Sequence, residues 1–252
     1  LSILQEAYID TIVASTANDT ATEIAYVSSK SGSWIQAKDG RWWYRHDDGS
    51  YTTNGWEQIK GQWYYFDSEG WMVTGALSLN GTAFKFNSNG ELYYTKLSVP
   101  RIRQAKSNWC WVASSLMVGK YINPSSRKTQ ATIVSHVKGS VVDNPGTDYE
   151  IESAIEYVCN ADAIANYKTL SAYGCENKLM YYKPLVIHMS WFGGNTGHSI
   201  TCYGYDRDHN HTFFFHDPSN NIPDYNVTYD DLMSSAVLPT GTGKCTSMVW
   251  LK

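Results

Sequence analysis

Charge is scarce in this chain and carries no basic excess. Charged residues are 17% of the 252, and the formal net charge is −4. A nucleic-acid surface needs clustered Lys and Arg, and no such cluster occurs, so nucleic acid is not an expected partner. No run of about eighteen apolar residues exists, which leaves nothing to span a membrane as a helix. No His and Cys spacing forms a zinc pattern, and the pair His209/His211 is too sparse alone. No metal and no cofactor are expected. The chain opens at Leu1 without the basic and apolar stretches of a signal peptide, which reads as a mature form whose leader has been removed.

Cysteine is present but odd in number: Cys110, Cys159, Cys175, Cys202 and Cys245. One reactive thiol plus up to two disulfides would suit a secreted enzyme, and five free, mostly buried thiols is the other reading. Spacing does not choose between them. Hydrophobic residues at 42% make the chain globular rather than disordered.

Aromatic residues are plentiful, with ten Trp and nineteen Tyr, and their uneven spread divides the chain into three. Residues 1–30 are polar and read as a linker, a propeptide remnant or a packing helix. Residues 31–96 hold a repeat of about twenty residues. A glycine before an aromatic strand recurs at Gly40, Gly61 and Gly81, and a turn glycine at Gly49, Gly70 and Gly90. Each unit reads as a β-hairpin, and a lone hairpin cannot bury such a face, so the units should stack into an all-β solenoid. Residues 97–252 switch to helical patterns followed by strands, an α+β order. Helices are expected near 108–121, 129–138, 149–159 and 176–182, and strands over 184–190, 197–204, 212–216 and 246–251.

The stretch Gly55-Trp-Glu-Gln-Ile-Lys-Gly-Gln-Trp-Tyr-Tyr-Phe-Asp-Ser-Glu-Gly-Trp-Met-Val-Thr74 closely resembles the choline-binding type of bacterial cell-wall repeat. In that family, aromatic side chains of successive hairpins cage a quaternary ammonium by cation–π attraction. The resemblance implies a first cage from Trp34, Trp42 and Tyr65. A second would be built on Trp56 and Trp63, with Lys85 where the next tyrosine belongs. The alternative is that these aromatics only pack the solenoid. Many relatives of this repeat bind wall or surface glycans, so the implied partner is a cell-wall glycan or choline.

The sharpest chemical signal is Gln104-Ala-Lys-Ser-Asn-Trp-Cys110-Trp-Val-Ala-Ser114. Cys110 opens a helix-competent run, where the positive helix end favours thiolate over thiol. Gln104, one short loop upstream, can donate to an oxyanion. The base is expected to be His198, which follows a glycine, begins a strand and sits beyond the loop 191–197. Asp217, in Phe215-His-Asp-Pro218 at the end of the next strand, would orient it. Asp206 lies eight residues from His198, about 25 Å along an extended strand, and cannot reach back. His188 is expected to face the core or stand behind the site, His216 to face away, and His46 and His136 to lie on surface elements.

With these residues in place, 97–252 resembles a compact bacterial papain-like cysteine peptidase, as in bacteriocin-leader peptidases, staphopain-like enzymes and plant-pathogen effector proteases with an Asn-Trp-Cys-Trp motif. The resemblance implies a helical half plus an antiparallel sheet half, with a short helix over 226–232. It also implies hydrolysis of a polypeptide substrate through a thioacyl intermediate, with Gln104 and the Cys110 N–H holding the oxyanion. A secreted, cell-wall-associated endopeptidase follows. The alternatives are a peptidoglycan amidase or endopeptidase and a catalytically inactive wall-binding adhesin. Neither Asp-Cys-Ser-Gly nor Gln-Cys-Thr-Trp, strings of lytic enzymes, occurs here.

Overall fold

The computed structural model describes residues 26–27, 30–165, 168–194 and 197–252. Most of the segment 1–30, and with it the expected linker or helix, lies outside the described residues, as do two positions of the loop 191–197.

In chain order the elements are β1 (Tyr26–Val27), β2 (Gly32–Gln36), β3 (Trp42–His46), β4 (Gly55–Ile59), β5 (Gln62–Phe66), β6 (Gly75–Leu79), β7 (Thr82–Phe86) and β8 (Leu92–Lys96). There follow α1 (Cys110–Ile122), α2 (Gln130–Lys138), α3 (Asp148–Cys159), β9 (Ala163–Ala165) and α4 (Ala172–Met180). The last are β10 (Leu185–Trp191), β11 (Gly197–Asp206), β12 (Thr212–His216), β13 (Tyr225–Thr228), α5 (Tyr229–Ser234), β14 (Ala236–Leu238) and β15 (Gly241–Leu251). The described chain is mostly sheet with five helices.

The aromatic repeats form the antiparallel hairpins β2–β3, β4–β5 and β6–β7, as the glycine spacing predicts. Their turns close alike: Gly49, Gly70 and Gly90 each donate an N–H to the carbonyl three residues back. The third hairpin continues through β8 into the C-terminal sheet, whose order runs β14-β15-β10-β11-β8-β7-β6. Along β11, β10 pairs with the first part and β8 with Gly204–Asp206 on the same edge, while β12 takes the other edge. Gly204 permits this crossing, since a Cβ there would stand 2.6 Å from the Thr95 carbonyl and 2.8 Å from the Phe214 ring. The third hairpin and the C-terminal region therefore share one continuous sheet, while β2–β3 and β1-β4-β5 form two sheets of their own.

Helices α1, α2 and α3 cover one face of β10 and β15 through Trp111, Val112, Ile133, Ile151, Val186 and Val249. Threonine side chains begin α2 and α3: Thr129 and Thr147 each accept the N–H three residues on and donate their own backbone N–H to the side chain of Thr132 or Glu150. The opposite sheet face packs Ile187, Met189, Ile200 and Phe215 against Leu179 of α4 and Leu232 of α5.

Three expectations are corrected. The segment expected as a helix over 226–232 starts as strand β13, because Val227 and Thr228 pair with Phe213 and Thr212; α5 begins only after Thr228 caps it. The helix expected over 176–182 lies at Ala172–Met180, started by the Ser171 hydroxyl accepting from Gly174. His46 is buried rather than on the surface, with Nε2 2.9 Å from the Glu57 carboxylate inside the repeats. His136 is exposed and stacks on Tyr157. All five cysteines are free, which settles the pairing alternatives.

Candidate active site

Cys110 is the first residue of α1, so the N–H groups of that first turn are unspent. No side chain caps this helix. The residues flanking the cysteine anchor it instead. Asn108 donates its amide to the Asp143 carbonyl (2.9 Å), and its backbone N–H goes to the Asp143 carboxylate (2.9 Å). The indoles of Trp109 and Trp111 donate to the carbonyls of Val142 (2.9 Å) and Asn144 (3.1 Å). The Asn-Trp-Cys-Trp string is thus bolted on both sides of the thiol to one segment, 142–144.

His198 enters from the start of β11, opposite Met189 of β10. Its Nε2 lies 2.8 Å from Asp217 Oδ1 and 3.4 Å from the Ser219 hydroxyl, and its ring also bonds the Cys110 thiol. With Nε2 turned to the carboxylate, Nδ1 is the nitrogen left for sulfur. Trp191 stacks beside the imidazole, with ring centroids 6.1 Å apart. Asp217 is fully buried and closely held. Its Oδ1 also accepts the Ser219 N–H (2.8 Å), and its Oδ2 accepts the hydroxyls of Tyr225 (3.1 Å) and Thr240 (3.4 Å).

These contacts set the charges. Burial pushes the Cys110 thiol up, but the hydrogen bond and charge of His198, with the backbone N–H groups of Ser199 and Trp111, bring it below its ordinary value. Burial lowers His198, yet hydrogen bonds to Asp217 and Cys110 and their charges raise it to about 9. Burial raises Asp217, and the His198 hydrogen bond and charge together with Ser219 bring it down to about 2. The arrangement favours a thiolate–imidazolium pair on a fixed carboxylate. For stability, the His198 contribution is complete below its ordinary 6.5 and is lost as pH rises through about 9. The Asp217 contribution is complete above its ordinary 3.8 and is lost as pH falls through about 2. Thermal melts are therefore expected to be flat between these two ordinary values as far as this pair is concerned. The alkaline limb of kcat/KM is expected near pH 9, moving to lower pH in Asp217→Asn; an unmoved limb would contradict the assigned coupling.

Gln104 does not point its donors at an empty hole. Its Nε2 gives both hydrogens to the carbonyls of Lys106 and Ser107, each at 2.9 Å, and its buried Oε1 has no partner among the described residues. An oxyanion would have to draw one of these hydrogens away from its loop carbonyl.

Trp34 and Tyr65 of the first expected cage meet different partners, and Trp56 and Trp63 of the second lie buried in one cluster. On β5 alternate residues face opposite ways, and Trp34 meets Tyr64 (5.0 Å) and Phe66 (6.0 Å), along with Tyr44. Tyr65 therefore turns to the other face, where it packs edge-on against Trp56 at 5.2 Å. Trp42 is 37% exposed. Trp56 is fully buried against Phe84 and Phe86, and Trp63 is buried against Tyr181 of the α4 end, donating its indole N–H to Asn177 (3.4 Å). Lys85 lies over Tyr94 instead of entering that cluster. The third hairpin thus covers Trp56, and the end of α4 covers Trp63.

His188 pairs with Asp148 at 2.8 Å on the helical face, and His216 faces Asp224 and the Val99 carbonyl. Asp206 bonds His209 at 2.8 Å, away from His198. Sequence reasoning missed the residues that fix the site from behind. Arg103 donates to the carbonyls of Asp217 (3.0 Å) and Ser219, and the Gln104 N–H donates to the Pro218 carbonyl (2.8 Å). Gln130 clamps the same strap from α2, donating to the Arg103 carbonyl (2.7 Å) and accepting the Ala105 N–H (2.9 Å). Only Ser219 had a readable signal, as the residue two after an Asp in a proline turn.

Among the described residues no group of three or more His, Cys, Asp or Glu could hold a metal ion, and no helix is long and apolar enough to cross a membrane. No curated protein matches the chain. Among solved structures, the modular Cpl-1 endolysin complexed with a peptidoglycan analogue is 41% identical over 25% of this chain, with a TM-score of 0.24; the chain covers 19% of that protein. The choline-binding domain of Spr1274 in Streptococcus pneumoniae is 36% identical, covering 25% of this chain and 82% of the domain, with a TM-score of 0.23. A C39-like peptidase from Bacillus anthracis is 12% identical, covering 62% of this chain and 94% of its own, with a TM-score of 0.44. A choline-binding repeat model matches residues 53–96. The model for the papain-like cysteine protease AvrRpt2 matches residues 94–232, more than half of the chain, and the protein belongs to that family of cysteine peptidases.

Proposed function

We propose that this peptidase is a secreted endopeptidase that cuts polypeptides with Cys110, His198 and Asp217 while its repeats hold it at a cell wall. The carrying observation is the run of contacts from the Cys110 thiol through His198 to Asp217, whose last step is 2.8 Å. In this reading residues 31–96 are the wall-binding unit, 97–252 the catalytic unit, and residues 1–30 a preceding segment. Helices α1–α3 are the helical half of a papain-like fold and β10–β12 with β15 its sheet half.

The Cys110 thiolate attacks the scissile carbonyl, and the carbonyl π electrons move to oxygen. The His198 imidazolium then gives its proton to the departing amine as the C–N bond breaks, leaving a thioacyl enzyme. Water, deprotonated by the now neutral imidazole, attacks that acyl carbon and releases the acid and the thiolate. The Cys110 N–H and one released hydrogen of Gln104 hold the oxyanion in both steps.

The test is hydrolysis of casein and of a quenched-fluorescent peptide library by the intact chain. Activity is expected to vanish in Cys110→Ala, and Gln104→Ala is expected to cost about 10²–10³-fold in kcat. Clearing of purified cell walls with casein untouched would replace this reading with a lytic one. Absence of any hydrolysis with a fully reactive Cys110 would point to an adhesin.

A further inference from the structure

The three repeat turns have one backbone pattern but not one surface. At matching places the chain carries Ser50, Trp71 and Glu91, whose carbonyls accept from His46, Asp67 and Asn87. Only the middle turn presents an indole. There Trp71, Trp43, Tyr51, Glu69 and Gly70 line a cleft of about 210 Å³, between the first and second hairpins. It is smaller than the roughly 300–1,000 Å³ of sites that engulf drug-sized molecules, and suits one ring of a longer ligand.

The walls are fixed. Asp67 Oδ1 accepts the N–H groups of both Glu69 and Trp71 at 2.9 Å, which sets the turn that displays them. The Trp71 indole donates to Glu69 Oε2 at 3.1 Å. Tyr51 lies against Gly70, where a Cβ would come within 2.7 Å of its ring. Trp43 and Tyr51 meet nearly at right angles, at 5.5 Å and 80°. None of these five residues belongs to the cages expected from Trp34, Trp42, Tyr65, Trp56 and Trp63.

Charge decides what the cleft accepts. Aromatic faces beside a carboxylate would draw a cation, but the protein already supplies one. The Arg41 guanidinium sits 3.9 Å from the Trp71 ring centroid and 3.6 Å from the Glu69 carboxylate, tied in place by Asp39 at 2.8 Å. A second cation would have to displace it or be repelled by it. A neutral ring with C–H faces and hydroxyl edges meets no such cost. Its C–H face lies on the indole, while Glu69 accepts and Arg41 donates at its rim.

We propose that this cleft is a pyranose subsite, through which the repeats grip one sugar of a neutral glycan. The proposal rests on the reading that the repeats hold the protein at a wall, and names the ligand class and place.

The test titrates the intact chain with chitohexaose and with isomaltohexaose, read by indole fluorescence and saturation-transfer NMR. At least one hexasaccharide is expected to bind, with affinity about ten-fold weaker in Trp43→Ala and in Trp71→Ala and unchanged in Trp42→Ala. Binding of neither, equal binding by the Trp43→Ala/Trp71→Ala double variant, or displacement of the sugar by choline chloride would overturn it. Retention on purified cell walls separates the two ideas. Retention that survives the double variant overturns the subsite and leaves wall targeting standing. Sugar binding without wall retention overturns the targeting and leaves the subsite.

Discussion

His198→Ala is expected to lower kcat/KM on a peptide substrate by at least about 10⁴-fold, the scale seen when one member of such a unit is removed. The substitution deletes the proton acceptor and the proton donor of both chemical steps. It also deletes the main group that pulls the Cys110 thiol down, leaving only the Ser199 and Trp111 N–H groups against the burial that pushes it up. Asp217 loses the partner at 2.8 Å yet keeps Ser219, Tyr225 and Thr240, so the fold around it should persist. Circular dichroism and thermal melting of the variant separate lost chemistry from lost structure. A folded His198→Ala protein retaining more than about a hundredth of the activity would place the base elsewhere.

Trp56→Ala is expected to destabilise the whole protein by about 3–5 kcal/mol, in the range of buried Trp truncations. Trp56 is fully buried with Phe84 and Phe86, in one cluster with Met180 of α4. Polar bonds cross the same junction: Gln62 accepts from Arg207 at 3.0 Å, and Arg207 Nε donates to Glu176 at 2.9 Å. Because β8 also pairs with β11, a cavity in the repeats should weaken the peptidase region through one shared unfolding. A drop of about 6–20 °C in Tm follows at roughly 2–4 °C per kcal/mol for a chain of this size. Trp42→Ala, at an exposed position, should change stability by no more than about 0.5 kcal/mol. Separate melts, with the Cys110 region unaffected by Trp56→Ala, would show two independent units instead.

The hairpins were readable because turn glycines and aromatic strands repeat at a fixed period, and backbone conformation follows from that chemistry alone. The three residues that the structure brings together were readable from Cys110 at a helix start, Gly197-His198 at a strand start and Asp217-Pro218 at a strand end, all local signals. What local signals do not carry is which face meets which neighbour. Tyr65 was assigned to Trp34, but strand alternation on β5 gives Trp34 to Tyr64 and Phe66. Trp56 and Trp63 were open in the sequence and are covered by α4, more than a hundred residues away. The Arg103 and Gln130 straps behind Asp217 depend on the same long-range placement. His46 reads as a surface residue, and the Glu57 carboxylate of the next hairpin, with the Ser50 hydroxyl, holds it inside.

The most direct test of the thiolate–imidazolium assignment is the pH dependence of iodoacetamide alkylation at Cys110, followed by peptide mass spectrometry. The other four thiols report as internal controls, since burial raises every one of them, Cys245 to about 12. In the wild-type chain Cys110 should be alkylated below the ordinary thiol value of 9.0. In His198→Ala its labelling should retreat to higher pH. Identical pH profiles at Cys110 in the two proteins would contradict the pairing on which the catalytic reading stands.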